Sequence, residues 1–91
     1  MDLQQIREEI DAIDDELVQL LEKRMDMAVK VAEYKKQNNI PIYNPTREQE
    51  VLDRMAKKVS GDRVAAISKI YSLLFLLSRN EQEKLIKQEE S

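Results

Sequence analysis

Apolar residues recur along the first third of the chain with a period of seven. Alternating spacings of three and four place two series on a single stripe of a helix. This pattern predicts a helix from about residue 2 to 38, opened by a capping pair of Asp2 and Gln5 and ended before Pro41. The two series are Leu3, Ile10, Leu17, position 24 and Val31, and Ile6, Ile13, Leu20, Met27 and Tyr34.

Position 24 of this stripe is an arginine where a leucine is expected. The heptad pattern predicts that the Arg24 side chain faces the core, where its guanidinium stays protonated. An unpaired buried charge costs roughly 3–5 kcal/mol. No acidic residue shares the stripe within two turns. Two interpretations stay open: the anion that meets Arg24 is a carboxylate of a partner chain, or it is a ligand.

The first helix is too long for one small chain to cover. About 36 residues span roughly 55 Å, whereas a compact chain of this length has a radius of gyration of only about 12 Å. A second apolar stripe also runs along the middle of the helix, at Val18, Met25, Val29 and Ala32. Two faces therefore need partners, and a second copy of the chain supplies them economically. We expect an all-α, intertwined helical homodimer.

Two more helices are predicted in the remaining residues. Asn44 as cap and Pro45 in the first turn predict a second helix over about 45–59. Asp62 predicts the cap of a third helix over about 62–86. Each of these two helices carries one apolar stripe.

Composition and charge exclude several classes of function. The 91 residues are expected to form one domain, 1–91, with no cysteine or histidine to bind a metal. The net charge of −3 argues against a nucleic-acid partner. No apolar run approaches the ~20 residues of a membrane span, and no signal peptide is evident. We expect a cytoplasmic protein with no membrane partner.

Polar residues interrupt the apolar stripe of every predicted helix. Lys35 follows Arg24 by 11 residues and lies about 20° away around the helix, at 100° per residue. Glu48 shares the buried face of the second helix, and Arg47 is next to it.

On the third helix, Ser78 occupies a stripe position and Gln82 follows one turn later. Each polar residue has an ordinary explanation by itself. Lys35 and Glu48 suit the dipoles of their helix ends, and Ser78 is small enough for a helix contact. Since all of them fall on inward faces, together they predict a polar pocket with excess positive charge.

These residues belong to a longer pattern. It reads Arg7-x2-Ile10-x2-Ile13-Asp14-x2-Leu17-x2-Leu20-Leu21-x2-Arg24, then Ala28-Val29-x-Val31-x3-Lys35, then Pro45-x-Arg47-Glu48-x2-Val51-Leu52. The pattern resembles the all-helical, bacterial-type family of chorismate mutases. Ser78 and Gln82 fall where that family has its last two site residues.

The resemblance implies the Claisen rearrangement of chorismate to prephenate in aromatic amino acid biosynthesis. That pericyclic step uses no cofactor and no covalent intermediate, which suits a chain without a nucleophile–base pair. It also implies that Arg7 and Arg24 bind carboxylates, that Arg47 adds positive charge and that Ser78 steadies a carboxylate. Asn44 stands where many members carry an acid. We keep Asn44 among the substrate-binding candidates, but we interpret it mainly as the cap of the second helix.

The resemblance assigns catalytic roles to three further residues. Lys35 and Gln82 donate hydrogen bonds to the ether oxygen, which gains negative charge as the C–O bond breaks. Glu48 accepts from the ring hydroxyl. Donors that interact more strongly in the transition state than in the ground state accelerate the reaction.

The spacing of the two arginines places them in different chains if they bind one ligand. Arg7 lies about 25 Å from Arg24 along the helix and is rotated by about 100°. A molecule of chorismate's size cannot touch both from one straight helix. We therefore expect Arg7 to enter the site of the partner chain.

Two alternatives to the mutase remain open. An isochorismate pyruvate lyase uses the same scaffold and cationic pocket, although Glu48 and Ser78 favour the mutase. A non-catalytic module of a larger aromatic-pathway enzyme would bind chorismate or prephenate as a signal.

Overall fold

The computed structural model describes residues 1–90, with side chains up to residue 88, and consists of three α-helices. Helix α1 spans Leu3–Gln37, α2 spans Pro45–Ala56 and α3 spans Val64–Glu90. A short 3-10 turn, Gly61–Arg63, precedes α3. Residues 1–90 contain no strand. The predicted all-α class, with three helices and a long first one, is confirmed.

The start of α1 is fixed by the predicted capping box. Asp2 Oδ1 accepts from the backbone N–H of Gln5 at 2.8 Å, and Gln5 Oε1 accepts from the backbone N–H of Asp2 at 2.9 Å. Two N–H groups that the helix itself leaves unpaired are thereby satisfied.

The end of α1 is a Schellman turn. Asn39 adopts a φ of 55°, a left-handed conformation that asparagine tolerates better than most residues. The N–H of Ile40 then donates to the carbonyl of Lys35 at 2.8 Å, and that of Asn39 to the carbonyl of Lys36 at 3.4 Å. The chain reverses here and leads toward α2.

The start of α2 follows the prediction, and the start of α3 does not. Asn44 Oδ1 accepts from the backbone N–H of Arg47 at 3.0 Å, with Pro45 in the first turn. The prediction that Asp62 caps the third helix is wrong. Asp62 lies inside the 3-10 turn, which forms because the N–H of Arg63 donates to the carbonyl of Ser60 at 2.9 Å.

Helix α3 packs against both α1 and α2. The buried apolar residues are Ala28 and Ala32 of α1, Val51 of α2 and Phe75 of α3. Alanines allow α1 and α3 to approach closely, because neither side chain extends beyond Cβ. The face of α1 that meets α3 therefore lies beside the heptad stripe rather than on it.

The heptad stripe itself is exposed in the single chain. Every residue from 1 to 20 is exposed, and so are the later stripe residues Met27, Val31 and Tyr34. The radius of gyration is 16.6 Å, against the ~12 Å of a compact chain of this length. Among the described residues, no large side chain is fully buried. One chain thus leaves a long apolar face open.

None of the helices in residues 1–90 combines the length and apolar character that crossing a membrane requires.

Candidate active site

A cavity of about 390 Å³ lies where α1, α2 and α3 meet. Its size falls within the ~300–1,000 Å³ typical of small-molecule sites. Arg7 is not at this cavity, since it lies in the exposed first half of α1. The other seven predicted site residues line it: Arg24, Lys35, Asn44, Arg47, Glu48, Ser78 and Gln82.

Arg24 enters the cavity from α1 over an aromatic ring. Its guanidinium carbon lies 5.8 Å from the centroid of Phe75, within the range of a cation–π contact. Phe75 is buried and meets Tyr71 edge to face, with ring centroids 6.1 Å apart. Arg24 is half-buried, and no carboxylate in the described part of the chain forms an ion pair with it. A cation held in this way is available to an anionic ligand.

Lys35 lies near the C-terminal end of α1 and bonds to the connection that follows. Its ammonium donates to the carbonyl oxygen of Ile42 at 2.6 Å. Burial lowers the pKa of Lys35, and the negative charge of Glu48 partly opposes that shift. The side chain is fixed by a single backbone acceptor, so its remaining N–H donors can point into the cavity.

Glu48 of α2 forms an ion pair with Arg79 of α3. The two side chains are only 23% and 27% exposed, so solvent screens the pair less than it screens a surface pair. Arg79 also lies over the ring of Tyr43, 5.0 Å from its centroid. The carboxylate is therefore held at the cavity wall by a residue of a different helix.

Ser78 and Gln82 lie one turn apart on α3. The amide Nε2 of Gln82 donates to Ser78 Oγ at 3.0 Å. Gln82 is 6% exposed, and its Oε1 is buried without a hydrogen-bond partner among the described residues. Buried polar atoms normally have a partner. The NH₂ group of Gln82 has a second N–H that can donate to a ligand, and the Ser78 hydroxyl keeps its own proton for donation.

Arg47 and Asn44 lie at the N-terminal end of α2. The Arg47 side chain is 58% exposed and forms a surface ion pair with Glu50 at 3.5 Å. Exposed pairs of this kind contribute little to stability, so Arg47 can exchange Glu50 for another anion at little cost. The Asn44 side-chain oxygen is used by its capping bond. A contact from Asn44 to substrate stays a prediction.

Positive charge dominates the cavity wall. Among the described residues that line it, five are cations and Glu48 is the one acid; the cations are Arg24, Lys35, Arg47, Arg54 and Arg79. A cleft lined mainly by charges of one sign attracts ligands of the opposite sign. The site is suited to a small molecule with more than one negative group.

Sequence reasoning missed three of the lining residues, Phe75, Arg79 and Arg54. On α3, Phe75, Arg79 and Gln82 follow one another by four and three residues, which places them on one helix face. Residues three and seven positions before Gln82 share its helix face, and these are the two α3 residues that were missed. Arg54 follows Val51 by three on α2 and is found in the same way.

Comparison with known families agrees with this site. Residues 6–83 match the family described as chorismate mutase type II. The match covers most of the chain, and the chain belongs to this family of all-helical proteins.

The curated relatives include one protein named as bifunctional and two named as mutases. The chain is 40% identical over 63 residues to a bifunctional chorismate mutase/prephenate dehydratase of Aquifex aeolicus, covering 66% of this chain and 17% of the relative. It is 38% identical over 56 residues to a 4-amino-4-deoxychorismate mutase of Streptomyces venezuelae, covering 62% and 54%. It is 44% identical over 55 residues to a chorismate mutase of Methanocaldococcus jannaschii, covering 60% and 56%. The aligned region thus spans little more than half of these relatives at most. No solved structure is significantly similar to the chain.

Proposed function

We propose that this chain catalyses the rearrangement of chorismate to prephenate. The observation that carries the proposal is the cavity in which seven residues of the predicted site come together on three helices. Membership of the chorismate mutase type II family supports it. The substrate is a dianion, and the excess of cations on the wall matches it.

Substrate binding depends first on the unpaired cation Arg24. Arg24 has no carboxylate partner in the described part of the chain, so a substrate carboxylate can take that place. A charge-assisted, bidentate contact of this kind fixes orientation as well as position. Arg47 adds charge at the rim, and Ser78 steadies a carboxylate. Holding the flexible substrate in a reactive conformer lowers the barrier by removing its rotational freedom in advance.

The transition state is stabilised by two donors at the ether oxygen. Lys35 and Gln82 line the cavity from two different helices, α1 and α3. Gln82 donates to the substrate through its second amide N–H, since the first donates to Ser78 Oγ. A millionfold acceleration requires about 8 kcal/mol, which positioning and these charge-directed donors together can supply.

Glu48 accepts a hydrogen bond from the ring hydroxyl. One of its oxygens, Oε2, is the one paired with Arg79. The other carboxylate oxygen has lone pairs for the substrate. The relatives act on two substrates whose names differ at this ring position, a hydroxyl or an amine. We assign the hydroxyl substrate, chorismate, to this chain.

The assay that tests this function follows the loss of chorismate's ultraviolet absorbance and then identifies the product. Prephenate from the purified chain is the expected result. Pyruvate from isochorismate would instead favour the lyase, and binding without turnover would favour a sensing module. Loss of neither substrate would reject the enzymatic assignment.

We also propose that the chain works as an intertwined homodimer in which Arg7 enters the partner's cavity. Support comes from the exposed apolar stripe of α1 and from the absence of Arg7 from its own chain's cavity. A helix face of this size in contact with water favours association. A second α1 carries the same repeat and therefore fits it. Location in the cytoplasm stays a prediction.

Light scattering at micromolar concentration should give about twice the 10.7 kDa mass of the chain. Ile13, 62% exposed on the stripe, provides a variant. Ile13→Glu should shift the protein toward an unfolded or monomeric form, since it puts a charge into the apolar contact. Gln19→Glu adds the same charge elsewhere on α1 and should leave the mass unchanged. A well-folded parent of single-chain mass would contradict the dimer.

Activity should fall on the alkaline side as Lys35 loses its proton. Because burial lowers the pKa of Lys35, the ammonium loses its proton at a lower pH than an ordinary lysine, whose pKa is about 10.4. The value of kcat/KM, which reports the free enzyme, should decline through that range. Lys35→Gln keeps a neutral donor and should flatten the decline at a lower plateau. Lys30→Gln, on the exposed side of α1, should keep the decline. An unchanged decline in Lys35→Gln would assign it to another group.

A further inference from the structure

We propose that Arg79 is a specificity-determining positioning residue. By pairing with Glu48 it makes the cavity select a substrate with a neutral ring hydroxyl over one with a ring ammonium. This inference rests on the proposed function and on Glu48 as the group that meets the ring substituent.

Arg79 is held in place from two sides. Its guanidinium donates to Glu48 Oε2 and lies over the Tyr43 ring at 5.0 Å. The arginine comes from α3, the acid from α2 and the tyrosine from the connection between α1 and α2. Two other segments of the chain thus contact the Arg79 side chain. About a quarter of that side chain is exposed. A guanidinium with a fixed acceptor and a stacked ring has little freedom to leave.

The pairing changes what Glu48 offers to a ligand. An isolated carboxylate in a partly buried site strongly prefers a cationic partner. A carboxylate already paired with Arg79 has its charge balanced, but its second oxygen still accepts a hydrogen bond. A hydroxyl needs only that acceptor. An ammonium gains less from the balanced pair and is repelled by the guanidinium beside it.

Other charges at the cavity act in the same direction. Lys35 lines the same cavity as Glu48, and the negative charge of the acid partly opposes the lowering of the lysine's pKa by burial. The remaining wall cations are Arg24, Arg47 and Arg54. A primary amine is protonated at neutral pH, as lysine is. Glu48 is the one acid that lines the cavity in the described residues, so it is the group through which an ammonium would gain a favourable contact. Arg79 already forms an ion pair with Glu48, so the carboxylate offers an ammonium less.

The experiment compares kcat/KM for chorismate and for 4-amino-4-deoxychorismate in the full chain. Arg79→Met removes the cation and keeps an unbranched side chain of similar reach. The ratio of the two values, chorismate over the amino substrate, is expected to fall by at least about tenfold. Most of the change should appear as a lower KM for the amino substrate, because Glu48 is released to pair with it.

Two variants separate the pairing from its net charge. Arg79→Lys keeps a cation beside Glu48 and should restore most of the parent ratio. Arg54→Met removes a cation from the same cavity wall, and Arg54 forms no ion pair with Glu48 among the described residues. Its ratio should change by less than about threefold, the scale of a single exposed charge. Equal shifts in Arg54→Met and Arg79→Met would overturn the specific role.

A milder variant covers the case in which Arg79→Met does not fold, as judged by circular dichroism. Tyr43→Leu removes the stacked ring, leaves both charges and should move the ratio in the same direction by a smaller factor. An unchanged ratio in a folded Arg79→Met or, in its place, Tyr43→Leu overturns the inference while the mutase function stands. A parent that converts neither substrate overturns the function together with the inference.

Discussion

Arg24→Met is expected to lose turnover by roughly 10²–10³-fold while melting no lower than the parent without ligand. Losing a buried, hydrogen-bonded charge contact to a ligand costs about 2–5 kcal/mol, and each 1.4 kcal/mol is tenfold. Stability should hold because a charge without a carboxylate partner is replaced by an apolar side chain. Methionine also keeps a favourable contact with the Phe75 ring, on which the guanidinium now lies.

The measurement pairs steady-state kinetics with a thermal melt of the ligand-free protein. Lys23→Met is the matched control, because it removes the same charge from the neighbouring, exposed position of α1 and should change neither quantity much. A large drop in the melting temperature of Arg24→Met would show that Arg24 is the ion-pair partner of a carboxylate in a second chain. The arginine would then be structural.

Mixing inactive Arg7→Ala and Arg24→Ala proteins should restore activity. If each cavity takes Arg24 from one chain and Arg7 from the other, both homodimers lack one cation in every cavity. In a heterodimer one cavity carries both changes and the other carries neither. Random exchange at equal concentrations makes half of the dimers mixed, so about a quarter of the parent activity should return.

A second mixture provides the control. Arg24 and Lys35 line the same cavity from the same helix, so Arg24→Ala and Lys35→Ala damage one cavity each in a heterodimer and leave none intact. That mixture should stay inactive. If the first mixture also stays inactive although mass spectrometry of the native complexes shows exchange, Arg7 does not enter the partner's cavity.

Local interactions explain which parts of the fold were predictable. Asp2 with Gln5, and Asn44 with Pro45, are caps made by residues within three positions of one another. Sequence alone therefore indicates them. The gathering of Arg24 and Lys35 on one cavity follows from helix rotation.

Contacts between helices explain what sequence reasoning missed. Both apolar stripes of α1 were predicted to need partners, but the sequence did not indicate that the side of the helix with Ala28 and Ala32 is the one buried within the single chain. Which face a helix presents depends on how side-chain ridges interlock with the neighbouring helix, and the period does not fix that. The pair of Glu48 and Arg79 joins residues 31 positions apart. No local pattern in the sequence indicates that these two residues pair.

Lys35 forms hydrogen bonds through both its backbone and its side chain to the connection between α1 and α2. The position of its ammonium therefore depends on the conformation of that connection. Its carbonyl accepts the bond from Ile40 that closes α1, while its ammonium donates to the carbonyl of Ile42 two residues later. Surface connections usually accept inserted residues freely during evolution. An insertion between Ile40 and Ile42 would move the acceptor away and release the ammonium. The length of this short connection therefore sets the position of the Lys35 ammonium. We expect its length to be constrained by the reaction more than by the stability of the fold.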